Sequence, residues 1–391
     1  MQKNSPTIGA CFPPSIKAGF KNSALPFSLS QKNFYSFSLI NIRRILHEKD
    51  NYNFGRHRGT LLVAPHAIAA DKDFLKGKKL NIYIGVSAGG IYGTFARLMS
   101  KHISKHLPNQ AGAIITSLRG AGGTKAMNYI YNVAPQNGTY AITPNGGIVE
   151  RVLLGLGKPR YDPLKMHWLG GWGEAVNSIT IRKDAGVNTI QEAMQKEVIL
   201  GAIGRTSSTA TIPQLMNNVL GTKFKIITGY RGGSPIRKAI ETGELNGWAG
   251  QWLGWKLRKA DWIRDGKIIT LVQMGSKRHA DLPNVPLLSD LAKNDKQRKL
   301  LGFVAIKIAD KAFVMGPGVP RARAAAVGKA YMATLRDKDF LARMTKLQYT
   351  IDPIEGTTIT AHVKKIMATP KPFVKKIKKA LGFGGKKSKK K

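Results

Sequence analysis

The stretch Leu80-Asn81-Ile82-Tyr83-Ile84-Gly85-Val86-Ser87-Ala88-Gly89-Gly90, with the helical pattern that runs from it to Leu107, decides the fold. Its first seven residues form an apolar run that reads as a strand, and Ser87 to Gly90 form a small-residue turn. Beyond the turn, Tyr92, Phe95, Ala96, Met99, Ile103 and Leu107 recur at intervals of three and four, which puts them on one helix face. The unit is strand, glycine turn, helix. Its turn lies at the carboxyl end of the strand, where open α/β sheets bind ligands. Backbone N–H groups and the positive end of the helix dipole make such a turn an anion site.

The same grammar repeats along the chain. Ile114 to Leu118 reads as a strand, Gly120-Ala121-Gly122-Gly123 as a turn, and Ala126, Met127, Ile130 and Tyr131 as a helical stripe. Tyr140 to Thr143 is a third strand, ending in Pro144-Asn145-Gly146-Gly147. Three strands ending in glycine turns imply a parallel sheet with helical crossovers. The pattern restarts at Ser178–Ile181, after which Asn188 and Gln191 suggest a capping box. Val198 to Ile203 leads into Gly204-Arg205-Thr206-Ser207-Ser208-Thr209 and a helix carrying Ile212, Leu215, Met216 and Val219, with Pro213 expected in its first turn. Phe224 to Thr228 leads into Gly229-Tyr230-Arg231-Gly232-Gly233, then a helix stopped by Gly243. Ile268 to Met274 is another strand, and helices follow around Ala324–Leu335, Phe340–Met344 and Ile359–Met367.

The bulk composition bounds the class. The chain has 391 residues, long enough for two domains, and 42% of it is hydrophobic, enough for real cores. Lys and Arg number 63 against 22 Asp and Glu, a formal charge of +41, which points to an anionic partner of some kind. Ten lysines between Lys371 and Lys391 account for part of the excess. Cys11, the only cysteine, gives neither an internal disulfide nor a cysteine metal site. No apolar run approaches the roughly 18 residues of a membrane span. Residues 1–53 show no sustained periodicity and read as a disordered leader or extension. In 54–70, Arg56-His57-Arg58 precedes Leu61-Leu62-Val63-Ala64 and Ala67-Ile68-Ala69-Ala70, the layout of a signal peptide cleaved after Ala69 or Ala70.

At these turns the chain resembles the substrate-binding receptors of tripartite tricarboxylate transporters, also called Bug-type receptors. The resemblance rests on Val86-Ser87-Ala88-Gly89-Gly90, Arg119-Gly120-Ala121-Gly122-Gly123, Val133-Ala134-Pro135-Gln136-Asn137-Gly138-Thr139, Gly229-Tyr230-Arg231-Gly232-Gly233, Gly243-Glu244-Leu245-Asn246-Gly247 and Leu282-Pro283-Asn284-Val285-Pro286, in that order between Leu80 and Pro370. It implies an α/β, two-lobed periplasmic binding protein fold of type II, closing on a small anionic solute, often a carboxylate. It also implies a periplasmic location, membrane permease subunits as partners, a monomer, no cofactor and no specific nucleic acid. On that basis 71–176 forms the first part of lobe 1, 177–274 lobe 2, 275–370 the return to lobe 1, and 371–391 a basic tail, with hinge strands near Asn177–Ile181 and Leu271–Met274. The chain departs from the family at Gly93, where an acidic residue that takes a ligand amine is common, and at Arg231, where proline or lysine is common. The leader and tail have no counterpart.

The expected ligand-binding set is Ser87, Ala88, Gly89, Gly90, Tyr92, Gly122, Asn145, Gly146, Arg205, Thr206, Ser207, Ser208, Thr209, Tyr230, Arg231, Gly232, Gly233, Gln251 and Trp252. Within it Ser207 and Ser208 open a lobe 2 helix that faces Ser87 to Gly90. Among Trp248, Trp252 and Trp255, Trp252 is the expected cleft aromatic. The turn at Gly120 is followed by no G-x-G-x-x-G fingerprint, so no dinucleotide loop is read there. His102 and His106 are four apart, yet they stand beside a buried stripe among Lys101 and Lys105 and read as a solvated face. No nucleophile–base pair emerges, so an enzyme has little support. The competing reading is a basic nucleic-acid- or polyanion-binding protein, but the basic residues form no aromatic-interleaved motif or recognition helix. Amino-terminal sequencing of the native protein tests the export reading: the mature chain is expected to start near Asp71, and a start at Met1 in a cytosolic fraction contradicts it.

Overall fold

A computed structural model describes residues 73–305 and 308–383. The leader, the signal-peptide layout and the last lysines, 386–391, lie outside the described residues. The strands in chain order are β1 (Leu80–Ile84), β2 (Ala113–Ser117), β3 (Tyr140–Thr143), β4 (His167–Gly171), β5 (Asn177–Arg182), β6 (Val198–Ala202), β7 (Phe224–Thr228), β8 (Gly247–Gln251), β9 (Ile268–Met274), β10 (Ala312–Met315) and β11 (Ile354–Glu355). They form a six-stranded sheet ordered β11-β4-β10-β3-β1-β2 and a five-stranded sheet ordered β7-β6-β8-β5-β9. In the first, β1 runs parallel to β2 and β3, while β10 joins β3 and β4 in antiparallel fashion. In the second, β6 runs parallel to β7 and β8, and β5 lies antiparallel between β8 and β9. Each lobe therefore has three neighbouring parallel strands, and the turns that follow them emerge at one edge.

The apolar stripes explain the helices. In Ile91–His102, Tyr92, Phe95, Ala96 and Met99 are buried, as are Ile103 and Leu107 beyond it. Fully burying side chains of this size stabilises the fold by about 1.5–3 kcal/mol each. The repeats after β2 and β6 behave alike: Ala126, Met127 and Ile130 are buried in Thr124–Asn132, and Ile212, Leu215 and Met216 in Ser208–Leu220. That second helix starts at Ser208, so Pro213 falls in its second turn, not its first, and the Thr209 carbonyl has no ladder N–H to accept from. Asn188 and Gln191 form no capping box, because the bonds run between Thr189 and Glu192 and back to Asn188. There the Glu192 N–H donates to Thr189 Oγ1 (3.1 Å) and the Asn188 N–H to Glu192 Oε2 (3.0 Å).

Four strands escape the sequence pattern. β4, β8 and β10 lie inside their sheets, so they show no polar alternation. β8, Gly-Trp-Ala-Gly-Gln, also carries two glycines, a residue type depleted in strands. Contact demands the first of them, as it does Gly250, since a Cβ on Gly247 would lie 2.3 Å from the Thr180 carbonyl oxygen of β5. β11 has only two residues. The expected hinge strands are β5 and β9, paired with each other in the second sheet. The chain crosses between the sheets just before β5, and again between the helix Asp295–Ala305 and β10.

The packing moves two expected boundaries. Leu288, Leu300, Leu301 and Val304 belong to the core cluster beneath the second sheet, and Gln297 Nε2 donates to the Val219 carbonyl oxygen (2.9 Å). The chain thus stays with the second sheet to about residue 305, not 274, because that helix has its own apolar face. The tail is also partly folded. Lys371–Ala380 is a helix whose Ile377 and Leu381 enter the same cluster as Leu154, Leu156 and Met216. It touches both the helix Ile148–Leu154 and the helix Ser208–Leu220, and Asn218 Nδ2 donates to the Ala380 carbonyl oxygen (2.7 Å). Ending the chain at Pro370 should therefore cost about 3–6 kcal/mol, the burial of Ile377 and Leu381. Chemical denaturation of the truncated protein checks this; unchanged stability would show that the helix does not dock.

Candidate functional site

Between the two rows of turns lies a cavity lined from the first sheet by Ser87, Gly90, Ile91, Tyr92, Asn145 and Gly146, and from the second by Ser207, Ser208, Thr209, Gly233, Arg237 and Trp248. Asn177 at the start of β5 and Gln251 at the end of β8 close it. About 60 Å³ of it is open to the centre of a water molecule, room on the order of four waters. No Asp or Glu lines it. The helices beginning at Ile91, Ser208 and Gly233 start at its wall, and their first-turn N–H groups have no intrahelical carbonyl to bond. The dipole of each favours negative charge at that end.

Arg237 is the cation of the cavity. Its side chain is buried to 5% exposure, Nη2 donates to Ser234 Oγ (3.2 Å), and its guanidinium carbon lies 5.9 Å from the Trp248 ring centroid. No carboxylate forms an ion pair with it among the described residues. Burial, with help from the nearby Arg258 charge, lowers the guanidinium pKa to about 10, so it stays charged at pH 7. Trp248 owes its seat to glycines: a Cβ on Gly250 would lie 2.2 Å from its ring, and one on Gly233 2.6 Å.

Three buried polar atoms of the cavity residues lack hydrogen-bond partners among the described residues: Asn177 Nδ2, Trp248 Nε1 and Gln251 Oε1. Buried polar groups are usually satisfied, so such a cluster calls for a partner, water or ligand, within the cavity. The Gln251 amide is oriented by Tyr92, whose hydroxyl accepts from Nε2 (2.7 Å) and donates to the Asp310 carbonyl oxygen (3.0 Å). Burial pushes the Tyr92 hydroxyl pKa well above its ordinary value, which keeps that proton in place.

A model of the tripartite tricarboxylate transporter family receptor matches residues 95–359. The chain belongs to this receptor family. The receptor is 25% identical over 261 residues to a UPF0065 protein of the gbd 5' region in Cupriavidus necator, covering 65% of this chain and 76% of the relative. Its fold is shared by the periplasmic binding protein BugD, at TM-score 0.63, 19% identity, 79% coverage of this chain and 99% of the other. It is shared also by an R. palustris protein, Rpa4515, solved with adipate, at TM-score 0.62, 18% identity and coverage of 78% and 97%.

The receptor gathers Ser87, Gly90, Tyr92, Asn145, Gly146, Ser207, Ser208, Thr209, Gly233 and Gln251 at the one cavity. Gly232 stands at its edge, where an added Cβ would lie 2.9 Å from Ser87 Oγ. The other expected residues are elsewhere. Ala88 packs against the core of the first lobe, and Gly89 and Arg205 are exposed. Gly122, Tyr230 and Arg231 line a separate, open cavity with Arg119, where the Tyr230 hydroxyl is tied to Glu244. The Thr206 carbonyl oxygen accepts from Arg151 Nε (2.9 Å). Trp252 is turned to Asp281, to which its Nε1 donates (2.9 Å), so Trp248 is the cavity aromatic instead. The helix at Ser208 abuts Gly146 and Gly147, not Ser87 to Gly90; Ser87 meets Gly232. His102 and His106 form no solvated face, because both lie within 4.0 Å of Asp337. At Gly93 a Cβ would lie 1.9 Å from the Ala88 carbonyl oxygen, so no acidic side chain has room there.

Sequence reading missed Asn177, Arg237 and Trp248. Arg237 sits one turn into the helix after Gly232-Gly233, on the stripe with Ile236 and Ile240, and a charged residue on an apolar stripe is the signal that was available. Ser207 also differs from expectation. It is 2% exposed, and its hydroxyl donates to the Gly204 carbonyl oxygen (2.7 Å) and meets Thr209 Oγ1 (2.7 Å) without capping the helix. Ser207→Asp should therefore lower the melting temperature, contrary to a simple helix-dipole argument, by forcing a carboxylate against an acceptor. The expected loss is about 2 kcal/mol by denaturant titration; a neutral or stabilising result would mean that the hydroxyl bonds are dispensable.

Proposed function

We propose that the receptor captures a small carboxylate, a short dicarboxylate above all, in the cavity between its sheets. It then presents the solute to the membrane permease subunits of a tripartite tricarboxylate transporter, from the periplasmic side. The observation that carries this reading is Arg237, a buried guanidinium with no acidic partner in a cavity whose wall holds no carboxylate. A buried cation is costly unless paired. A ligand carboxylate supplies the missing charge and completes a charge-assisted hydrogen bond.

The geometry divides the work. One carboxylate meets the first-turn N–H groups of Ser208 and Thr209 and the start of the helix at Ile91. The second meets Arg237 and Asn177 Nδ2. The Trp248 face lies against the carbon chain between them, and Gln251 Oε1 accepts from a solute hydroxyl. Adipate in the R. palustris relative is an acid of this class. Turns from both lobes make these contacts, so the bound solute favours the closed arrangement over an open one by its differential affinity for it.

Calorimetry with a panel of mono- and dicarboxylates tests the assignment. Arg237→Met should weaken dicarboxylate binding about 10–100-fold, the worth of a lost charge-assisted bond. The ligand-free variant should melt at the same temperature or higher, since an unpaired buried charge has gone. Unchanged dicarboxylate affinity in a folded Arg237→Met protein would place the anion elsewhere.

A further inference from the structure

A second cavity of about 430 Å³ lies on the other side of Gln251, which lines both. Its wall joins the crossing segment Gly173–Val176, Lys311 at the other crossing, the helix residue Lys256, the loop from Lys277 to Ala280, and residues 348–352. The wall carries Lys256, Lys277, Arg278 and Lys311 against Glu174 and Asp352, so cations prevail. Three of these charges are already engaged. Lys256 pairs with Asp281 (2.7 Å), Arg278 with Asp290 (3.1 Å), and Glu174 accepts from Ser276 N–H (3.0 Å) and Oγ (2.7 Å).

Of the other three, Lys277 and Asp352 are exposed, and Lys311 is buried. Its side chain is 93% removed from solvent, at 7% exposure, yet its ammonium has neither a hydrogen bond nor an ion pair among the described residues. Nζ lies 4.5 Å from the centroid of Trp172, whose other face stacks on Phe95 at 4.2 Å. That contact offers the charge some relief but uses none of its three donors. Glu174, Asp310 and Asp352 attract it without pairing, while burial lowers its pKa to about 8, so the ammonium still prevails at pH 7. An amine in this setting has three unmet donors and open volume in front of them.

We propose that this second cavity is an anion site in which the Lys311 ammonium holds one small oxyanion of the sulfate, phosphate or carboxylate type. The site is separate from the solute cavity and does not rest on the assignment of Arg237. An anion there touches residues beside both crossings between the sheets. It neutralises a buried charge at that junction that has no partner among the described residues.

The test is calorimetric titration of sodium sulfate into the full chain and into Lys311→Met and Arg237→Met, with adipate titrated into the same three proteins. Sulfate is expected to bind once per chain in the wild type and in Arg237→Met, and at least tenfold more weakly in Lys311→Met. Without sulfate, Lys311→Met should melt at or above the wild-type temperature, because methionine keeps the buried stem and removes the charge. The proposal is overturned if the wild type binds no sulfate, or if the signal is lost with Arg237 and kept without Lys311. It is overturned also if Lys311→Met melts several degrees lower, since the ammonium would then already be satisfied within the protein. If Lys311→Met loses adipate affinity as steeply as sulfate affinity, the cavity is the far end of the solute site and no separate site exists. The solute assignment fails on a different readout, adipate binding in Arg237→Met.

Discussion

The two rows of turns are held edge to edge by Arg151. This side chain, 1% exposed, donates from Nε to the Thr206 carbonyl oxygen (2.9 Å), from Nη2 to the Gly146 carbonyl oxygen (2.6 Å) and from Nη1 to Thr124 Oγ1 (3.5 Å). Its fork joins the turns after β2 and β3 to the turn after β6, across the boundary between the lobes. Because five N–H donors are fixed in one plane, the three turns must keep their relative positions to satisfy it. Close backbone approach does the rest. A Cβ on Gly123 would lie 1.9 Å from Asn145 Oδ1, and one on Gly146 2.6 Å from Ser208 Oγ. The cavity exists because small residues let the turns come this near and a buried cation holds them there.

The parts of the fold legible in the sequence are those with a period. β1, β2, β3, β6, β7 and β9 stand within a residue or two of their expected places, and so do the helices with a three-four apolar stripe. The strands that alternate nothing, β4, β8 and β10, left no such mark, and β8 gives the cavity's second wall Trp248, Gly250 and Gln251. The same limit explains the site. Glycine and hydroxyl turns announce themselves locally, so most turn residues of the cavity could be named in advance. Arg237 leaves only the trace of a charge on an apolar stripe, and Asn177 leaves none, because what distinguishes it is a missing partner, a property of three dimensions. Trp252 was favoured over Trp248 for want of the strand that decides which ring points inward.

The net charge of +41 does not set the class, but it bears on how an anionic solute arrives. Acids are absent from the cavity wall, and Arg119 and Arg231 stand together at an adjoining open cavity that shares Val86 and Ile203 with it. A positive field over such a cleft raises the encounter rate with anions and weakens as salt rises. At the proposed site, capture depends less on salt, since Arg237 and the helix ends act at short range away from solvent.

The helix Lys371–Ala380 touches the helix Ile148–Leu154 of the first lobe and Ser208–Leu220 of the second, at the ends of which stand Gly147 and Ser207. Those two helices flank the cavity, so the helix Lys371–Ala380 fastens the back of the same pair of elements whose front ends stand at the cavity. Swinging the lobes apart must either drag Ile377 and Leu381 across one of the two partners or peel the helix from it. The helix Lys371–Ala380 thus acts as a tendon: the stiffness of a joint deep in the protein is set by a surface segment stitched on behind it.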